Sequence, residues 1–122
     1  MHINRSDNVP AFASPHGEVV YELIGNKAGG SNRHSLAQIV LPPGKASRKH
    51  YHPEAEESYY ILSGHGKVKL GDESQNLTAG DTIMIPTGIV HQIFNTSTGN
   101  ELLIFLAICQ PAWTPDNSVY LD

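Results

Sequence analysis

Two histidines stand two residues apart, His50 and His52, a carboxylate follows at Glu57, and another histidine, His91, comes in on a later segment. Imidazole nitrogen and carboxylate oxygen are donors that divalent transition metals favour, so this set points to a metal centre. A bound ion of that kind can polarise a ligand oxygen or activate water or dioxygen. On a strand, side chains alternate faces, which puts His50 and His52 on one face with Cα atoms about 6.6 Å apart, close enough for both rings to reach one ion. Glu57 follows after a short turn and shares its face with Tyr59 and Ile61. On an interior face a carboxylate is costly unless it is paired or bound to a cation. The chain has no Gly-x-Ser-x-Gly elbow, no glycine loop for phosphate and no zinc-type cysteine pairs to compete with this reading.

The elements that must carry these side chains read as β-structure. Val19–Gly25, Ser35–Gly44, Ser58–Gly64, Lys67–Leu70, Thr82–Pro86, Val90–Asn95 and Glu101–Ile108 are rich in β-formers, with Asn26–Asn32, Gly71–Ser74 and Thr96–Asn100 as loops or turns between them. Pro42 and Pro43 stop one strand because proline cannot donate to a ladder and restrains the residue before it. No segment keeps a helical period, and short strands at regular spacing indicate an all-β sandwich or barrel. Residues 1–17 are expected as an irregular arm or edge strand, and residues 110–122 as a tail packed outside through Trp113 and Tyr120.

A chain of 122 residues is expected to form one domain, with any site inside its single core or at a subunit interface. The formal charge of −4 and scattered basic residues argue against nucleic acid, which needs concentrated positive charge. With no signal-like N-terminus and no span-length apolar run, a cytoplasmic protein that does not bind membranes is expected. The lone Cys109 lies in the apolar run LLIFLAIC and reads as a core residue. That run is apolar on both parities, which suits a strand covered on both faces and leads to the expectation of a homodimer.

Two spaced motifs carry a family resemblance. Gly44, five residues, His50-x-His52, four residues, Glu57, six residues and Gly64 form the first; Gly80, five residues, Pro86-x-Gly88, two residues, His91, three residues and Asn95 form the second. The chain resembles the cupins, which are small jelly-roll barrels of the double-stranded β-helix type. The resemblance implies an all-β cupin barrel over residues 1–122, with the motifs at 44–64 and 80–95. It further implies that His50, His52, Glu57 and His91 ligate one divalent ion, Mn, Fe, Co, Ni, Cu or Zn. Glu56 competes for the carboxylate role, but only Glu57 keeps six residues before Gly64. Dioxygenase, lyase and isomerase chemistry on a small-molecule substrate are all implied, with non-catalytic ligand binding or sensing as the alternative.

Around the ligands, Tyr59 is the candidate catalytic residue, a phenol on the face of Glu57, against the alternative of a core aromatic. Arg48 and Gln38 are candidate substrate contacts, the first sharing the face of His50 if the strand begins early, the second as a polar handle in an apolar strand. Asn95 is read as a strand-end hydrogen-bonding residue, and His2, His16, His34 and His65 as surface histidines.

Overall fold

Alternation along the strands decides which residues face inward. In the Glu56–Ser63 strand, Glu57, Tyr59 and Ile61 are buried while Glu56, Tyr60 and Leu62 are exposed. The Leu103–Gln110 strand likewise buries Leu103, Phe105, Ala107 and Cys109. The structure is a computed structural model that describes residues 1–122. In chain order its strands are β1 (Ala11–Ala13), β2 (Val19–Ile24), β3 (Ser35–Leu41), β4 (His50–Tyr51), β5 (Glu56–Ser63) and β6 (His65–Leu70). They continue as β7 (Glu73–Thr78), β8 (Thr82–Ile85), β9 (His91–Asn95), β10 (Leu103–Gln110) and β11 (Val119–Tyr120).

These strands form two antiparallel sheets, one ordered β1-β2-β3-β10-β5-β8 and the other β11-β4-β9-β6-β7. Their inner faces meet over Leu41, Ile61, Ile85, Ile93, Leu103 and Phe105, each at most 1% exposed. Each such side chain stabilises the fold by about 1.5–3 kcal/mol. The chain is therefore an all-β jelly roll. No helix is long and apolar enough to cross a membrane.

Sequence patterning overlooks β7, and also the short β11 within the expected tail. The turn at Gly71 is shorter than the four residues expected, and ESQNLT follows as an edge strand with only Leu77 buried. An edge strand with one inward apolar residue carries no alternation to read. Gly64, between β5 and β6, needs its glycine: φ is +93°, and a Cβ there would collide with the Leu102 carbonyl.

Candidate metal centre

Three separate elements of the barrel bring the donors together. His50 lies on β4 and His52 just beyond it, Glu57 enters on β5, and His91 opens β9 directly across from His50. Their ligating atoms all lie within 4.8 Å of one another. His52, Glu57 and His91 are buried and His50 is half-buried. Glu56, the competing carboxylate, faces outward from the same strand, as parity requires.

Hydrogen bonding fixes how the imidazoles present themselves. The Nδ1 of His50 donates to Arg48 O at 2.7 Å, that of His52 to Asn117 O at 2.8 Å, and that of His91 to Ile89 O at 3.0 Å. A carbonyl oxygen has no proton to give, so each Nδ1 carries the hydrogen and each Nε2 is left for the common centre. His91 Nε2 is buried with no hydrogen-bond partner, because Glu57 Oε1 lies 3.4 Å away without the required alignment. A buried polar atom left unpaired is rare and calls for a partner. Three imidazoles converging on a carboxylate fit a divalent transition metal, which prefers this donor set.

The electrostatics follow from this crowding. Burial alone would raise the Glu57 carboxyl, but the hydrogen bond from His52 and the imidazoles of His52 and His91 facing it outweigh burial and hold it at about 2. Burial and the neighbouring His91 push His50 down to about 4, so that ring is neutral at physiological pH. His52 moves the other way: its burial is overcome by Glu57, 3.2 Å from Nε2, and by Asn117, and its pKa is raised. With acceptors facing both nitrogens, His52 takes up a proton more readily than a free imidazole.

Tyr59 packs beside the donors, its ring 4.8 Å from Phe105 and 6.2 Å from His91. Burial, reinforced by the Glu57 charge, raises its phenol well above the usual range, so it stays protonated. Arg48 does not reach into the centre. Its side chain pairs with Asp122 at 3.2 Å and stacks over the Tyr120 ring at 3.9 Å. The expectation that Gln38 points into the cavity is corrected by register: it stands opposite Leu106 and Tyr21, on the face turned away from Ile39 and Leu41. Asn95 serves structure, donating to Leu41 O and Glu101 O and accepting from Ser97 N. A cleft of about 520 Å³ between β7 and β8 contains none of the four donors.

A family model described as "Cupin domain" matches residues 37–109. The chain belongs to the cupin family. An uncharacterized protein of Methanocaldococcus jannaschii is 31% identical to this cupin over 116 residues, covering 95% of this chain and 91% of its own. The oxalate-binding protein of Thermotoga maritima is 36% identical over 93 residues, 75% of each chain. Among solved structures, the formate complex of an oxalate decarboxylase from Lactobacillus farciminis superposes with a TM-score of 0.79 at 28% identity. It covers 94% of this chain and 34% of that one.

Sequence reasoning gave the tail only an outside packing role and missed its contacts with the donor histidines. Asn117 O and Ser118 Oγ lie 2.8 and 3.1 Å from His52 Nδ1, and the Tyr120 ring is 5.5 Å from that of His50. No local pattern could have shown this, since the contacts span more than sixty residues of chain.

Proposed function

We propose that this cupin is a metal-dependent enzyme that acts on a small carboxylate, with His50, His52 and His91 binding the ion through Nε2 and Glu57 through its carboxylate. The observation that carries the reading is the shared orientation of the three imidazoles, each with Nδ1 tied to a backbone carbonyl and Nε2 turned to one buried point. A divalent ion held there supplies Lewis-acid polarisation of a bound oxygen, or redox chemistry where the metal permits it.

Charge argues for an anionic partner. Three neutral imidazoles and one carboxylate leave a net positive charge on a divalent ion, and burial makes an uncompensated charge costly. A small carboxylate offsets it. The relatives named for oxalate support a short dicarboxylic acid and lyase-type cleavage ahead of dioxygenase or isomerase chemistry. Within the centre, the protonated Tyr59 offers a hydrogen-bond donor to a ligand oxygen, and the walls of Ile85, Ile93 and Phe105 exclude water.

One observation favours a second reading, ligand binding without turnover. Apart from the donors, the fully buried titratable groups nearby are Tyr59 and Cys109, with the carboxyl of Glu18 half-buried within reach of Glu57. The first is held protonated, and burial with the Glu57 charge pushes the second up to about 12, so neither accepts a proton near neutrality. The experiment loads apo-protein with Mn(II), Fe(II), Co(II), Ni(II), Cu(II) or Zn(II), adds oxalate or another short carboxylate, and follows both binding and carbon dioxide or other products. Product formation that requires metal supports the enzyme; tight binding with the acid recovered intact supports the alternative. Failure of every carboxylate to bind the metal-loaded protein removes both.

We further propose a homodimer through the outer face of the six-stranded sheet. Tyr60, Leu62, Met84 and Ile108 stand there 40–51% exposed on the adjoining strands β5, β8 and β10. Clustered apolar side chains of this kind mark association surfaces.

A further inference from the structure

We infer that the segment Trp113–Asp122 is an outer layer of the metal centre, a strap whose Asn117, Ser118 and Tyr120 position the donor rings of His52 and His50. This inference rests on the metal-binding reading above and adds the residues that set the geometry of its donors.

Polar contacts run from the strap to the donors. Trp113 Nε1 donates to Ser118 Oγ at 3.2 Å, and Ser118 Oγ lies 3.1 Å from His52 Nδ1. The Asn117 carbonyl accepts from the same Nδ1 at 2.8 Å. Asn117 is itself pinned, because its side-chain Oδ1 accepts from Glu54 N at 2.9 Å, in the turn between His52 and Glu57. Two oxygens of the strap therefore share the His52 Nδ1 proton. They fix the tautomer and the ring plane that leave Nε2 facing Glu57.

The end of the strap holds His50. Val119 and Tyr120 pair with Tyr51 and His50 as β11 against β4, and Leu121 N donates to Lys49 O at 2.9 Å. The Tyr120 ring lies 5.5 Å from His50 at an interplanar angle of 36°, with Arg48 stacked over it and tied to Asp122. The strand β4 is only two residues long and meets β9 at the single pair His50 and His91. So short a strand is poorly held by its own ladder, and β11 supplies its second neighbour. Of the three histidines, His91 alone has its Nδ1 carbonyl and its strand pairing supplied without the strap.

Partners of this kind typically contribute 10–100-fold to metal affinity. The test compares wild type with Ser118→Ala, Ser118→Thr, Tyr120→Ala and, as a control far from the centre, His65→Gln. Zn(II) and Mn(II) affinities are measured by chelator competition, and histidine ring ¹⁵N spectra of the metal-free proteins report tautomers. Expected are about 10-fold weaker binding in Ser118→Ala and Tyr120→Ala, recovery in Ser118→Thr, and no change in His65→Gln. Without metal, the His52 spectrum should show Nδ1 protonated in wild type and a shifted Nδ1 resonance in Ser118→Ala, where the Asn117 carbonyl alone accepts that proton.

Affinities within twofold of wild type in both alanine variants, with an unaltered His52 spectrum, would overturn the inference. So would equal weakening in His65→Gln. Should the wild type bind neither metal, the metal reading fails by itself, and the ¹⁵N spectra still decide whether the strap sets the ring.

Discussion

Replacing Glu57 with Gln keeps the shape of the side chain at the centre and removes its charge. A metal that binds only the folded protein stabilises it by about 2.7 kcal/mol when free metal stands at 100 times Kd. With an unfolding entropy of about 2.1 cal/mol/K per residue, a chain of 122 residues changes Tm by about 4 °C per kcal/mol, so the wild type should gain about 10 °C. Loss of a partner one layer outside a metal already costs up to about 100-fold, and a charged donor in contact with the ion should cost at least that. At the same free metal the variant then sits near Kd, where stabilisation falls to about 0.4 kcal/mol and the shift to about 2 °C. Scanning calorimetry of each protein with and without Zn(II), Mn(II), Co(II) or Ni(II) reads the difference within each protein, so any change in metal-free stability drops out. A shift of equal size in both proteins, or none in the wild type with any metal, would refute the assignment of Glu57 and its three histidines.

Gly64→Ala should destabilise the fold by about 3 kcal/mol or more in urea titration, because it combines a positive φ with a collision against the Leu102 carbonyl; an unchanged midpoint would contradict the tight β5–β6 turn. Glu18 is half-buried, and burial, with a smaller push from Glu57, raises its carboxyl despite Ser14, His16 and Arg48. The folded protein thus holds this proton more tightly than the unfolded chain, and ionisation costs stability as pH rises above the ordinary 4.5. Glu18→Gln should therefore gain stability relative to wild type at pH 7, with the gain shrinking as pH falls toward 4.5 and vanishing below it; a gain independent of pH in urea titrations would speak against this. Ile108→Asp puts a charge on the exposed sheet face and should convert a dimer to a monomer in sedimentation at micromolar concentration, whereas a wild type already monomeric there ends the dimer proposal.

The donor set was legible because strand parity and turn spacing are local properties. Alternation put Glu57 with Tyr59 and Ile61 on the inner face and turned Glu56 out, as the structure shows. Most strands were readable for the same reason, since Leu103–Gln110 and Glu56–Ser63 bury alternate residues. The misreadings fall where local pattern carries little information. β7 buries only Leu77, so its polar run resembled a loop. Gln38 stood out as a polar residue in an apolar strand, but its outward direction follows from the register that pairs it with Leu106 and Tyr21.

By itself the sequence determined the β-class of the chain, the residues able to donate to a metal and the cupin motifs that space them, because each depends on residue type and separations of a few positions. Only the tertiary structure decided that the three imidazoles present Nε2 to one point. That orientation depends on carbonyls, and the one that fixes His52 comes from Asn117, 65 residues away. The same long-range packing turned the tail from an outer covering into a contact layer for His52 and His50, because hydrogen bonds and ring contacts act through distance in space, which the order of residues along the chain does not specify.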